Sequence, residues 1–140
     1  MSKIDILFRC LRQKPDATAF VFGDESLTFG ELDSRARRYA GVLEAHGFER
    51  GDRIAVFLPT CIDLMVALVG HYYAGVIHVP VNTRYGDVEI AHILSDSGAR
   101  WVLRPDEGPR AALIESVVEG LPEKSVERTI GVGGPGAEFA

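Results

Sequence analysis

A chain of 140 residues, 46% of them apolar, has the size and composition of one packed domain and excludes a disordered segment. Asp and Glu outnumber Lys and Arg by 20 to 15, a net charge of −5, and the basic residues are scattered except for Arg35, Arg37 and Arg38, which argues against a nucleic-acid surface. The most apolar window, Leu64 to Gly70, is far short of the roughly 20 apolar residues that cross a bilayer, and Asp63 and His71 flank it, so no membrane span is expected.

At the N-terminus, Lys3, Asp5 and Arg9 interrupt any continuous apolar stretch, which argues against a secretory signal and for a cytoplasmic setting. Cys10 and Cys61 are not paired in a Cys-x-x-Cys spacing and read as two inert thiols.

The first predicted elements are short β-prone runs, Thr18 to Phe22 and Ser26 to Phe29, joined by Gly23-Asp24-Glu25 as a hairpin. Thr28 precedes Glu31 by three residues, a capping box, and Leu32, Ala36, Tyr39, Ala40 and Leu43 recur at helical spacing before Gly47. Arg53 to Leu58 lacks polar alternation after its first residue and reads as a strand buried on both faces of a parallel sheet, stopped by Pro59. Thr60 with Asp63 suggests the start of a second helix, Ile62 to Tyr73, apolar on most sides and closed by Gly75. Val76 to Val81 predicts a second buried strand in which Pro80 must lie at an end or at an unpaired position.

A third helix is expected from Asp87 to Gly98, with Ile90, Ala91, Ile93 and Leu94 inward, then a strand at Trp101 to Leu103. A fourth helix, Arg110 to Glu119, ends at Gly120 and Pro122, and Thr129 to Val132 predicts a last strand. This order predicts an α/β fold in which an N-terminal hairpin is followed by crossover βα units on a mostly parallel sheet.

Several apparent sites fail on their chemistry. The glycines after Gly131 suggest a phosphate loop, but no Lys, Ser or Thr follows and Pro135 removes a backbone donor. His46, His71, His78 and His92 include no helical i, i+4 pair and read as structural or surface residues. Asp96 with Ser95 and Ser97 is ordinary helix-end composition, and no Gly-x-Ser-x-Gly elbow is present. The three clustered arginines read as a solvated face offset by Asp33 and Glu44, and Tyr72 and Tyr73 as core residues with hydrogen-bonded hydroxyls.

Leu27-Thr-Phe-Gly-Glu-Leu32, Gly51 to Val56 and Tyr73-Ala-Gly-Val-Ile-His-Val-Pro-Val81 follow one another in an order that resembles the adenylate-forming ligases, with Phe29 where a tyrosine is usual. Asn82 and Arg84 followed by Glu89 to Leu94 are more similar to acyl-CoA synthetases than to peptide synthetases, and Gly86 to Ser97 resembles malonyl-CoA synthetases. The resemblance implies a partial large domain of an enzyme that joins a carboxylic acid to AMP with Mg and ATP, then passes the acyl group to coenzyme A. It implies one binding residue: Asp106-Glu-Gly-Pro-Arg110 is similar to a segment whose arginine contacts a CoA phosphate, although the second arginine expected three residues on is Leu113. A guanidinium suits phosphate oxygens; the alternative for Arg110 is a surface charge in the first turn of a helix.

The sequence contains no Ser/Thr/Gly-rich loop ending in Lys-Gly, so beyond Arg110 no site residue, catalytic or metal-ligating, is expected, and no cofactor is expected to be bound by this segment alone. The expected organisation is an N-terminal subdomain segment over residues 1–132 and a Gly/Pro tail or truncated loop over residues 133–140. Its partner would be the remainder of the ligase or a complementing subunit, and the isolated chain is expected to be inactive. The alternative is a non-catalytic interaction module that keeps the fold without the chemistry.

Overall fold

In a computed structural model, in which residues 2–133 are described, helix α1 (Lys3–Gln13) precedes the hairpin of β1 (Thr18–Phe22) and β2 (Glu25–Thr28). The domain therefore does not open on strands. Ser2 and Asp5 form a reciprocal cap: the Ser2 backbone N–H donates to Asp5 at 2.8 Å, and the Asp5 N–H donates to the Ser2 hydroxyl at 3.3 Å. Lys3, Asp5 and Arg9, which rule out a signal-like run, are exposed residues of this helix, while Leu7, Phe8 and Leu11 turn inward.

The remaining elements follow the expected order: α2 (Phe29–Ala45), β3 (Arg53–Val56), α3 (Ile62–Ala74), β4 (Ile77–Pro80), α4 (Asp87–Ser97), β5 (Trp101–Pro105), α5 (Pro109–Glu119) and β6 (Arg128–Val132). The Thr28–Glu31 capping box starts α2 as predicted. Helix α3 starts differently. Its N-cap is Cys61, with no side-chain cap bond, and Thr60 lies outside. Gly75 ends it in the left-handed region, φ 72°, where a residue with a Cβ would be strained.

The β3–β6 strands form a four-stranded parallel sheet in the order β4-β3-β5-β6, and the hairpin stands apart as its own sheet. Alternation along β3 fills both faces of the larger sheet. Ile54 and Val56 pack with Tyr39, Leu43, Ala67, Trp101 and Leu103 under α2 and α3, while Ala55 and Phe57 pack with Ile90, Leu94, Val102 and Ile114 under α4 and α5. A third cluster joins α1, the hairpin, α2 and α3 through Leu11, Leu27, Leu32, Ala36 and Val66.

The β4 strand departs from its expected burial. It is an edge strand with Ile77 46% exposed, and Pro80 occupies its last position, where a missing N–H is tolerated. Gly70 explains how closely α2 and α3 approach: a Cβ there would lie 2.5 Å from Cδ2 of Tyr39 and 3.2 Å from the Ala36 carbonyl oxygen. The tail reading of residues 133–140 falls, beyond Gly133, outside the described residues.

Candidate functional site

Connections leave the sheet centre in opposite directions, from β3 outward to β4 and from β5 outward to β6, so the carboxyl ends of β3 and β5 flank a topological switch point. In open α/β sheets that crevice is where ligands bind. Here it holds a cavity of about 420 Å³ with an apolar floor from Leu58, Pro59, Pro105 and Val132. Its polar rim includes Arg35, whose Nη2 donates to Asp63 at 2.6 Å. Arg35 is thus half-buried and committed to an ion pair from α2 to the first turn of α3, a correction to its reading as part of a solvated face; Arg37, exposed and bonded to Asp33, fits that reading. Cys61 also lines the crevice. Burial pushes its thiol pKa up, which keeps the sulfur protonated and a poor nucleophile.

Arg110 lies in the first turn of α5, near the same edge of the sheet. Its Nη1 donates to the Tyr85 carbonyl at 3.0 Å, and its guanidinium carbon is 5.9 Å from the centroid of the Phe57 ring. Among the described residues one of its five donors is committed, and the residue is exposed. Leu113, where a second arginine would complete the CoA-like segment, packs into the apolar layer under α4 and α5.

The histidines divide into two kinds. His46 and His92 are exposed. His71 is 1% exposed, and its two ring nitrogens lie 2.7 Å from the Tyr39 hydroxyl and 2.8 Å from Nδ1 of His78. Burial, then the neighbouring His78, lowers the His71 pKa to about 3; burial lowers that of His78 and raises that of Tyr39. Sequence spacing gave no sign of this chain because a separation of seven residues becomes a contact only when α3 folds back onto β4. The aromatic pair splits too: the Tyr73 hydroxyl donates to Asp33 as expected, but Tyr72 is 52% exposed rather than core.

Among the described residues, no cluster of three His, Cys, Asp or Glu side chains could hold a metal, and no helix is long and apolar enough to cross a membrane. The sequence matches the family described as AMP-binding enzyme over residues 7–138. The chain belongs to that family. One relative, the long-chain-fatty-acid–CoA ligase of Escherichia coli O6:H1, is 38% identical over 103 residues, which cover 73% of this chain and 18% of that ligase. The structure of the anthranilate CoA ligase AuaEII with anthranoyl-AMP superposes with a TM-score of 0.84 at 27% identity, covering 93% of this chain and 24% of that one. The N-terminal domain of FACL13 from Mycobacterium tuberculosis gives 0.79 at 29% identity, over 94% and 34% of the two chains. The chain thus spans much less than half the length of the relatives it matches, and the likeness accounts for both the parallel sheet and the hairpin ahead of it.

Proposed function

We propose that the chain is the N-terminal part of an ATP-dependent carboxylic acid–CoA ligase, which forms an acyl-adenylate and then an acyl-CoA thioester. The observation that carries this reading is the 38% identity with a long-chain-fatty-acid–CoA ligase across 73% of the chain. Asn82 before Arg84, more like acyl-CoA synthetases than peptide synthetases, supports it. In this reading the partner is the rest of the ligase or a complementing subunit, the substrate is a carboxylic acid, and the setting is cytoplasmic, consistent with two free cysteines.

The residues fit the three cofactors unequally. Arg110 suits a CoA phosphate, because an exposed guanidinium with one donor used keeps the rest of its planar fork for phosphate oxygens. ATP and magnesium find no comparable residues: catalysis at a triphosphate needs positioned cations and donors, and the sequence has no Gly-rich loop with a lysine. The reading therefore assigns ATP and magnesium to other parts of the ligase and takes the 140-residue chain alone to be inactive.

Three experiments test this. Sequencing the encoding DNA past codon 140 should reveal a Ser/Thr/Gly-rich loop followed by Lys-Gly in some frame; unrelated sequence after a stop codon would point to a complementing subunit or a binding role. Substrate-dependent ATP–pyrophosphate exchange by the purified chain, retained through a second orthogonal column, would overturn its inactivity. In the complete ligase, Arg110→Ala should raise KM for CoA about tenfold while leaving adenylate formation unchanged, the loss of one charge-assisted phosphate contact of about 1.4 kcal/mol; an unchanged KM would remove Arg110 from the CoA site.

A further inference from the structure

Strand β4 is four residues long, is paired among the described residues on one side only, by β3, and exposes Ile77 and Pro80. A line of polar contacts crosses from it into the helical layer: His78 on β4 meets His71 on α3, and His71 meets Tyr39 on α2. The two Nδ1 atoms, 2.8 Å apart, accommodate one proton between them. With both rings neutral, one Nδ1–H donates to the other Nδ1, and both nitrogens of the buried His71 are satisfied.

A first added proton can be carried without breaking a bond, but it places an imidazolium beside the apolar layer that contains Tyr39, Ala67 and Val76. A second proton sets two N–H groups head-on, and the contact must open. The surroundings offer no compensation. Among the described residues no carboxylate is hydrogen-bonded to either ring; Tyr39 from α2 meets His71, and Arg50, from the segment before β3, lines a cleft with His71. On the flanking face of α3, Tyr73 is occupied by Asp33 and Arg37.

We propose that the Tyr39–His71–His78 chain is a proton-gated latch, which holds edge strand β4 against the α2–α3 pair at neutral pH and releases it in acid. The sign follows from linkage. Imidazoles held neutral in the latched state and free to protonate when it opens make the open state bind more protons below their ordinary pKa, so the opening constant rises as pH falls. Each such imidazole contributes up to about tenfold per pH unit. Release would reach the candidate site, because β4 leads into the loop whose Tyr85 carbonyl accepts from Arg110.

The test is amide hydrogen exchange of residues 76–81, corrected for intrinsic pH dependence, alongside ring-carbon NMR titration of the histidines in the purified protein. Between pH 6.5 and 4.5 the opening constant of β4 should rise at least about tenfold, while β3 and β5 keep their protection. His78→Asn offers an oxygen acceptor to the His71 Nδ1–H and takes no proton, so it should reduce the slope; adding His71→Gln should abolish it. The His71 and His78 signals should titrate with strand release. Unchanged β4 protection over this interval, loss of β4 and β3 protection together, or His78 titrating near 6.5 with the strand still closed would each overturn the latch.

Discussion

Substituting Gly70 by Ala tests the closest contact between helices. The added Cβ would stand 2.5 Å from Cδ2 of Tyr39 and 3.2 Å from the Ala36 carbonyl oxygen. Carbon atoms pack at about 3.5–4.0 Å, so either α2 and α3 separate by about 1 Å or the Tyr39 ring swings away. Ring displacement also takes the hydroxyl off His71, a 2.7 Å contact in the interior. Overpacking costs about 1–3 kcal/mol and a buried polar group left unmatched about 1–3 kcal/mol, against a gain of about 1 kcal/mol from replacing glycine inside a helix. The net loss is about 1–5 kcal/mol, and its midpoint of about 3 kcal/mol is equivalent to roughly 10 °C in Tm for a domain of this size. Urea unfolding followed by the fluorescence of Trp101, the single tryptophan and a core residue, measures it. Gly41 on α2 is the control: a Cβ there meets nothing within 4 Å, so Gly41→Ala should stabilise by about 0.5–1 kcal/mol. Equal or greater stability for Gly70→Ala than for the unaltered protein would refute the packing argument.

Leu103 on β5 is fully buried in the layer under α2 and α3, and Leu103→Ala should cost about 2–5 kcal/mol, read from the same urea transition. Thr28→Ala removes the hydroxyl that accepts from the Glu31 N–H at 3.1 Å and should lower stability by about 1 kcal/mol, a loss that Thr28→Ser should largely avoid. Glu115 is held below its ordinary pKa of 4.5: burial opposes its charge, but hydrogen bonds from Thr129 and Arg104 outweigh that. Its stabilisation is present above 4.5 and lost as pH falls through the lowered value, so Glu115→Gln should flatten the acid side of the stability profile below pH 4.5; an identical slope in both proteins would exclude this role.

The local chemistry of the chain was enough to locate most of its elements. Thr28 and Glu31 announce α2, Gly75 ends α3, and the unbroken apolar run from Ile54 to Leu58 marks a strand covered on both sides, because caps, glycine conformations and hydrophobic period depend on residues a few positions apart. The same kind of signal was present for α1 in Ser2, Asp5, Leu7, Phe8 and Leu11, but interrupting charges that exclude a signal peptide are also what an amphipathic helix displays. The order of short motifs likewise carried the family resemblance, which the match over residues 7–138 bears out.

Tertiary structure decided the rest. Val76 to Val81 is apolar enough for a central strand, yet strand order leaves β4 at the edge, since neighbours in a sheet are chosen by crossover connections rather than by the strand's own residues. Arg35 found Asp63 across 28 positions, and Tyr39, His71 and His78 met only when two helices and a strand packed together. Sequence alone determined most of the segments that would be helix or strand, α1 excepted, and which family they build, because those depend on short-range geometry. Which polar groups were buried together, and so forced to share protons and charge, followed from long-range packing that no spacing along the chain encodes.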